Sequence, residues 1–427
     1  MTMRRLAITL ALLGGGGLAW AQSWPQYGGP GRDFKADPAG RAATSWPADG
    51  PREIWSRALG EGYSAIASDG ATLVTMYRPI KGLVTILKER VWSPATAPEA
   101  VIAVDAASGA TLWEHTYDAP ILPRMQVEYG TGPHATPLIA GDRVYAVGST
   151  GRMHALDRKT GRVLWAHDLW GELDGTVQGR GYSCSPLAYG NTVIVTVGGS
   201  GQALVAFDQT TGHIAWKNGS VGVSPSSPIL IDVDGQPQLV LFHADGVAGF
   251  DPASGTQYWD HPHKTDYGLN ISLPSWGAGN VLVVSSAYSG GSRGLHLSQS
   301  GGRTSVKELW ASSRMRVHFG SMVRFGDRVY GSSGDFGPAF VTATDVRTGA
   351  VAWQERGFAR ASLVGIGDKL LLLDEDGVLA LATPGPAGLT VHAKADVLAT
   401  KAWTVPTVVG TRVYLRDRAV LKALDIG

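Results

Sequence analysis

The residues best suited to metal chemistry in this chain form one short segment, Asp260-His-Pro-His263, with Asp266 close behind. Imidazole and carboxylate groups are ordinary metal ligands. Two histidines that flank one proline are poorly placed to bind the same ion, however, and the segment falls between two repeats. We therefore predict no metal site here.

Two aspartate-rich segments, Asp232-Val-Asp-Gly235 and Asp374-Glu-Asp-Gly377, have the oxygen ligands that calcium prefers. Their spacing is that of hairpin tips, where aspartate caps the turn, so we interpret both as turns. Gly198-Gly-Ser-Gly201 is rich in glycine, but no helix follows it to bind the phosphates of a dinucleotide.

Cys184 is the only cysteine, so no intramolecular disulfide can form. No acidic–histidine arrangement follows it in the sequence, and we interpret it as a small core residue. We predict no catalytic residue in the chain.

The first residues predict export. A charged start with Arg4 and Arg5 leads into an apolar run and then Ala19-Trp-Ala21, the pattern of a cleaved secretory signal. The alternative, a membrane anchor, falls short of the roughly 20 apolar residues that a span needs. We expect residues 1–21 to be removed, which leaves a periplasmic or secreted protein without a lipidated cysteine.

Charge excludes two classes of partner. The chain has 37 basic and 36 acidic residues, and removing Arg4 and Arg5 keeps it close to neutral. Such a balance gives no electrostatic reason to bind nucleic acid or an anionic membrane.

An internal repeat decides the fold. Five segments align without gaps, each with aspartate, then glycine four residues later and tryptophan eight residues later. They begin at Ala103, Ala155, Ala206, Gly249 and Ala343. The aspartate accepts hydrogen bonds in the turn, the glycine supplies a left-handed conformation, and the tryptophan ring packs against the neighbouring sheet.

Each repeat reads as four antiparallel strands, which is one propeller blade. Eight tryptophans 43 to 58 residues apart mark eight blades, and we predict that all eight are structural docking residues: Trp55, Trp113, Trp165, Trp216, Trp259, Trp310, Trp353 and Trp403. The sequence thus predicts an all-β, eight-bladed β-propeller over residues 51–427, preceded by an N-terminal arm at 22–50. The strand with Trp55 and the C-terminal Ala423-Leu-Asp425 are expected to pair and close the propeller.

The repeat resembles the tryptophan-docking motif of the quinoprotein alcohol dehydrogenase-like superfamily, which includes eight-bladed dehydrogenases and the non-catalytic BamB-like subunit of the outer-membrane assembly machinery. The chain resembles most closely the pyrroloquinoline-quinone-like (PQQ-like) propeller repeat proteins. Segments that carry this likeness are Trp24-Pro-Gln-Tyr-Gly-Gly-Pro-Gly-Arg-Asp33, Gly60-Glu-Gly-Tyr-Ser64, Gly130-Thr-Gly-Pro-His-Ala-Thr-Pro137 and Tyr414-Leu-Arg-Asp417.

A dehydrogenase of this superfamily would imply bound pyrroloquinoline quinone, a calcium or lanthanide ion and an aspartate base. The adjacent cysteine pair of many such enzymes is impossible here, and the chain has no c-type haem motif. We predict no cofactor, with the quinone and Ca²⁺ as the alternative.

Residues just before the inner strands face the mouth of the central channel. By alignment these are Tyr63, His134, Tyr182, Asn270, Arg316 and His318, which we predict to bind a ligand. The alternative is that they are polar because water fills the mouth.

We therefore predict a non-catalytic, exported binding or scaffolding propeller, monomeric, that holds an envelope protein, a glycan or a small ligand at the mouth or on a blade face. The alternative is a PQQ-dependent alcohol dehydrogenase-like oxidoreductase with an atypical site.

Overall fold

A computed structural model describes residues 23–36, 46–47, 49–79, 97–123, 125–335 and 337–427. The predicted signal at 1–21 lies outside these residues, and the predicted arm at 22–50 is described only in part. The described residues form 33 β-strands, arranged as eight antiparallel four-stranded sheets, one of which gains an additional parallel strand. The predicted eight-bladed β-propeller is confirmed. No helix in this part of the chain is long and apolar enough to cross a bilayer.

Blades 1 to 4 each consist of four strands that are consecutive in the chain, from the channel outward. Blade 1 contains β3 (Ala67–Ser68), β4 (Thr72–Tyr77), β5 (Pro98–Asp105) and β6 (Thr111–Asp118). Blade 2 contains β7 (Leu138–Ala140), β8 (Arg143–Val147), β9 (Arg152–Asp157) and β10 (Val163–Asp168). Blade 3 contains β11 (Leu187–Tyr189), β12 (Thr192–Thr196), β13 (Leu204–Asp208) and β14 (Ile214–Asn218). Blade 4 contains β15 (Ile229–Val233), β16 (Gln236–His243), β17 (Gly246–Phe250) and β18 (Gln257–Pro262).

Blades 5 to 7 repeat this order, and blade 8 completes the circle. Blade 5 contains β19 (Ser275–Gly277), β20 (Val281–Ser286), β21 (Gly291–Ser300) and β22 (Arg303–Ser312). Blade 6 contains β23 (Val317–Phe325), β24 (Arg328–Ser333), β25 (Phe340–Asp345) and β26 (Val351–Glu355). Blade 7 contains β27 (Ala361–Ile366), β28 (Lys369–Asp374), β29 (Val378–Pro384) and β30 (Leu389–Asp396). Blade 8 contains β31 (Thr407–Val409), β32 (Arg412–Arg416) and β33 (Val420–Asp425), with β2 (Arg52–Ala58) outside them.

The composite blade is the predicted closure. Strand β2 pairs antiparallel with β33, and Trp55 lies opposite Ala423. Because the two strands are separated by the other seven blades in sequence, their pairing fixes the circle and leaves no open gap between the first and last blades.

The repeated turn works as its residue types predict. Asp105 Oδ1 accepts hydrogen bonds from the backbone N–H of Ala107 and Ser108 and from the Ser108 hydroxyl. These bonds, led by the hydroxyl, lower the pKa of Asp105. Gly109 has φ of 73°, a left-handed conformation that few other residues adopt.

Tryptophans on the outer strands join neighbouring blades. Trp55, Trp113, Trp165, Trp310 and Trp353 each donate the indole N–H to a backbone carbonyl of the next blade. For Trp55, Trp113, Trp165 and Trp310 the motif glycine of the next blade lies against the indole ring, and a Cβ at Gly161 would be 2.5 Å from Trp113. Each such glycine therefore serves the turn and the contact between blades together.

Trp403 was predicted to be the eighth docking residue, and this prediction is wrong. The register of β30 places Ala393, opposite Leu381 and next to the bulge, in the slot that tryptophan fills on the other outer strands. Trp403 lies ten residues later, between β30 and β31 and outside any strand. The spacing to Trp353 matched the repeat length by coincidence.

The N-terminal segment (residues 23–36) packs against several inner strands. Trp24 forms a β-bridge with Ser68, at the end of β3, and Pro25 accepts a hydrogen bond from Ile139 of β7. Strand β1 (Lys35–Ala36) pairs in parallel with the end of β27. The segment therefore contacts the end of the inner strands that is opposite to the mouth.

Arg32 anchors this segment inside the propeller. Its guanidinium is buried and donates to the carbonyls of Ser185 and Pro186 in blade 3 and Pro228 in blade 4. Burial lowers the pKa of Arg32 to about 9, so the group keeps its charge at neutral pH. The backbone carbonyls of two blades thus converge on one cation.

Candidate functional site

The candidate site lies at the mouth, where the inner strands begin. Tyr63 precedes β3, His134 precedes β7, Arg360 precedes β27 and Trp403 precedes β31, while His318 is the second residue of β23. Inner strands of a propeller run in the same direction, so these residues gather at one end of the channel although the chain separates them by up to 340 positions.

Trp403 is the centre of this site. Its ring lies 5.1 Å from that of Tyr63, 5.2 Å from that of Phe319 and 6.2 Å from that of Tyr129, measured between centroids. These partners belong to blades 1, 6 and 2, so Trp403 bridges the mouth. The indole N–H donates to Glu375 Oε2 at 2.7 Å, which fixes the orientation of the ring.

Further aromatic rings extend the contact across the mouth. Phe319 lies 5.1 Å from His318, His318 lies 4.8 Å from Tyr288, and Tyr288 lies 5.2 Å from Tyr267. We call the connected set the mouth rings: Tyr63, Tyr129, Tyr267, Tyr288, His318, Phe319 and Trp403. Tyr129 and Tyr267 are 53% and 68% exposed, so part of the set is open to solvent.

Four arginine–carboxylate pairs surround the mouth rings, and we call them the mouth ion pairs: Arg180–Glu128 (3.0 Å), Arg316–Asp335 (3.6 Å), Arg360–Glu375 (2.9 Å) and Arg418–Glu61 (2.7 Å). The pairs of Arg360 and Arg418 are bidentate, which gives the strongest and most directional geometry. Arg180 also lies over the Tyr129 ring and Arg360 over Phe319.

His134, His318 and Tyr63 are neutral at neutral pH. Burial lowers the pKa of His134 and of His318 to about 4, and Arg360 adds a smaller repulsion at His318. Burial raises the pKa of Tyr63 to about 12. The mouth therefore offers neutral rings and paired charges rather than an acid and base with pKa values near 7.

The structure brings together four of the six residues predicted for the mouth. Tyr63 and His134 stack at 5.8 Å between centroids, and His318 contacts Arg360, whose guanidinium also donates to the Asp335 carbonyl. Arg316 joins this side through its ion pair with Asp335.

Tyr182 and Asn270 do not join them. The side chain of Tyr182 is buried in a core cluster, with its hydroxyl 3.4 Å from that of Thr196. Asn270 is buried too, and its amide donates to the carbonyl of His243 and accepts from Ser286. Both residues occupy the position before an inner strand from which the alignment predicts a mouth residue, but their side chains face the protein interior.

Most of the mouth residues have no signal in the sequence. The repeat pattern predicts a docking role for Trp403 and a hairpin tip at Glu375, and it indicates no role for Tyr129, Tyr288 or Arg360. The hairpin assignment was itself correct, because Asp374 caps the turn between β28 and β29 through the N–H groups of residues 376 and 378. The local pattern gave no sign that Glu375 would also reach Trp403.

The other sequence candidates have structural roles. Cys184 is buried, donates to the carbonyls of Ser224 and Ser226, and has a pKa raised by burial to about 11. His261 lies 3.4 Å from Glu308, whereas the buried His263 packs against Phe242, so the two imidazoles do not converge. Gly235 donates to Asp232 in the predicted hairpin turn.

Comparison with known proteins identifies the family. The family model described as outer membrane protein assembly factor BamB matches residues 97–355. The chain belongs to this family of PQQ-like β-propellers.

Relatives of this propeller include enzymes. Quinohemoprotein alcohol dehydrogenase ADH IIB of Pseudomonas putida is 30% identical over 167 residues, which is 37% of this chain but 21% of that protein. The solved quinohemoprotein alcohol dehydrogenase of Comamonas testosteroni covers 96% of the chain at a TM-score of 0.60, and the chain covers 81% of it at 15% identity. A europium-containing methanol dehydrogenase covers 92% of the chain, with 89% of its own length matched, at a TM-score of 0.53 and 13% identity. The two solved structures show a shared fold.

The mouth residues do not fit a quinone-bound calcium ion. Such an ion needs several carboxylate or amide oxygens that converge without competing cations. Here Glu61, Glu128, Asp335 and Glu375 each pair with an arginine. No group of three or more histidine, cysteine, aspartate or glutamate side chains among the described residues could hold a metal.

Proposed function

We propose that the chain is an exported, non-catalytic binding propeller that holds a ligand at the channel mouth. The mouth rings carry this proposal, since aromatic rings from blades 1, 2, 5, 6 and 8 form one connected set that includes Trp403. Exposed aromatic faces with a few fixed polar groups are typical of ligand sites. The N-terminal pattern of a secretory signal supports export.

The chemistry of the mouth favours binding over catalysis. A general acid or base needs a pKa near the working pH and access to its substrate. His134 and His318 have pKa values near 4, and the mouth carboxylates are paired with arginines.

An alcohol oxidoreductase that uses pyrroloquinoline quinone is the second candidate. The 30% identity with the Pseudomonas putida dehydrogenase over 167 residues favours it. The arginine pairing of the mouth carboxylates speaks against it, because an ion that polarises the quinone would lack free oxygens.

Calorimetric titration of the purified protein with pyrroloquinoline quinone, with and without Ca²⁺, distinguishes the binding propeller from the oxidoreductase. A dye-linked assay with short alcohols accompanies it. We expect no Ca²⁺-dependent binding and no alcohol oxidation. Turnover that is lost in Trp403→Ala would overturn the binding proposal and establish the oxidoreductase.

A thermal-shift screen of quinones, oligosaccharides and peptides then tests the mouth. A ligand that binds the folded state raises the melting temperature by mass action. We expect at least one class to do so with the wild type and not with Trp403→Ala. Ligands that stabilise both proteins equally would place binding elsewhere and refute the proposal for the mouth.

A further inference from the structure

Charge at the mouth is balanced pair by pair. Four arginines and four carboxylates lie against the mouth rings, and each arginine has its own partner within 3.6 Å. Removing the anionic partner from a half-buried arginine is costly, because the cation is left without compensation. An anionic ligand would be repelled by these carboxylates and compete with them for the arginines, and a cationic ligand would be repelled by the arginines. The mouth therefore favours an uncharged ligand.

The pairs nevertheless leave polar groups for a ligand. A guanidinium has five N–H donors, and a carboxylate accepts about four hydrogen bonds. Arg180 and Glu128 meet through a single hydrogen bond at the edge of the mouth, with side chains 40% and 53% exposed. A molecule rich in hydroxyl groups can both donate to and accept from such a pair without separating it.

The mouth rings suit a flat-sided ligand with C–H groups on its faces. The centroids of successive rings lie 4.8 to 5.2 Å apart from Tyr267 through Tyr288, His318, Phe319 and Trp403 to Tyr63. Aromatic faces carry negative potential and attract polarised C–H groups. The face of a pyranose ring presents such groups, while its equatorial hydroxyls point sideways to the surrounding polar pairs.

From these observations we propose that the ligand is a neutral oligosaccharide, stacked on the mouth rings and hydrogen-bonded to the mouth ion pairs. This inference rests on the proposed function.

Calorimetry with cellohexaose, maltohexaose and tetra-N-acetylchitotetraose tests the proposal, with hexagalacturonate as the anionic counterpart. We expect saturable binding of a neutral sugar, little changed by a tenfold increase in salt because no net charge is involved. Trp403→Ala is expected to weaken binding at least about tenfold, whereas Trp403→Phe, which keeps a ring, weakens it less. Tyr129→Ala should lower the affinity too.

Tyr258→Ala serves as the matched control. Tyr258 is a half-buried aromatic residue on β18, away from the mouth, and its variant is expected to bind like the wild type. Circular dichroism and melting temperature establish that each variant is folded. Should Trp403→Ala fail to fold, Tyr129→Ala and Trp403→Phe give the answer alone.

The outcomes separate the two proposals. If no neutral sugar binds while a quinone, peptide or anionic sugar binds in a Trp403-dependent manner, the oligosaccharide inference is wrong and the mouth remains a binding site. If no ligand depends on Trp403 or Tyr129, both are wrong.

Discussion

The imidazole of His263 is held neutral by its surroundings. His263 is fully buried, and neither ring nitrogen has a hydrogen-bond partner among the described residues. Burial lowers its pKa to about 4, and nearby Arg293 adds a smaller effect. The imidazolium form is therefore disfavoured in the folded state, while the unfolded chain has an ordinary histidine with a pKa of about 6.5.

This difference predicts a stability that falls with acid. As the pH drops below about 6.5, the unfolded state takes up a proton at His263, whereas the folded state does so only near pH 4. The free energy of unfolding lost between pH 7 and pH 5 should be roughly 1 to 2 kcal/mol smaller in His263→Leu than in the wild type. Urea unfolding at both pH values measures it, and an equal loss in the two proteins would contradict the assignment.

At the scale of elements, one glycine in a hairpin turn meets both a backbone and a packing requirement. Gly161 adopts a φ of 70° in the turn after β9, and its lack of a side chain leaves room for Trp113 of the preceding blade. In Gly201, φ of 72° is nearly the same, but no atom lies within 4 Å of the position of a Cβ. The two glycines separate the backbone requirement from the packing requirement.

Substituting each by alanine tests this separation. Gly201→Ala should cost about 1 kcal/mol, because only the left-handed conformation opposes it. Gly161→Ala should cost a further 1 to 3 kcal/mol or so, because its Cβ would overlap the indole ring of Trp113. Guanidinium unfolding compares both with the wild type. Similar losses for the two variants would mean that the glycine does not support docking.

The elements could be predicted from sequence because their causes are local. The aspartate, glycine and tryptophan of a motif lie within nine residues, so alignment of five motifs exposes the hairpin. The number of blades followed from tryptophans spaced by about one repeat, although Trp403 is not a docking residue. The mouth has no such signal. Tyr63 and Trp403 meet across 340 residues, and whether a side chain faces the channel or the interior, as at Asn270, depends on packing that the repeat does not encode.

At the scale of the whole molecule, the N-terminal segment links blades that are not neighbours. It contacts blades 1 and 2 through Trp24 and Pro25, blades 3 and 4 through Arg32, and blade 7 through β1. The docking tryptophans, by comparison, join each blade only to the next. We expect the segment to make unfolding of the propeller more cooperative.

Replacing its anchor tests this role. Arg32→Met leaves the carbonyls of Ser185, Pro186 and Pro228 buried without a donor, which should cost about 3 kcal/mol or more. Arg52→Met removes an exposed ion pair with Asp425 and should cost less than about 1 kcal/mol. Equilibrium unfolding measures both losses. A small effect of Arg32→Met would show that the segment is peripheral to stability.

The position of this segment also sets the order of events during synthesis. Residues 23–36 leave the ribosome before any blade exists, yet the partner strand of β1 in blade 7 is made more than 300 residues later. Strand β2 likewise stays unpaired until β33 has been synthesised, because any strand that paired with β2 earlier would be a non-native partner. Contacts over such sequence distances form slowly. Two of the first segments to be made are thus among the last to be placed, and during that wait the unpaired edge of β2 is the part of the nascent protein most in need of protection from aggregation.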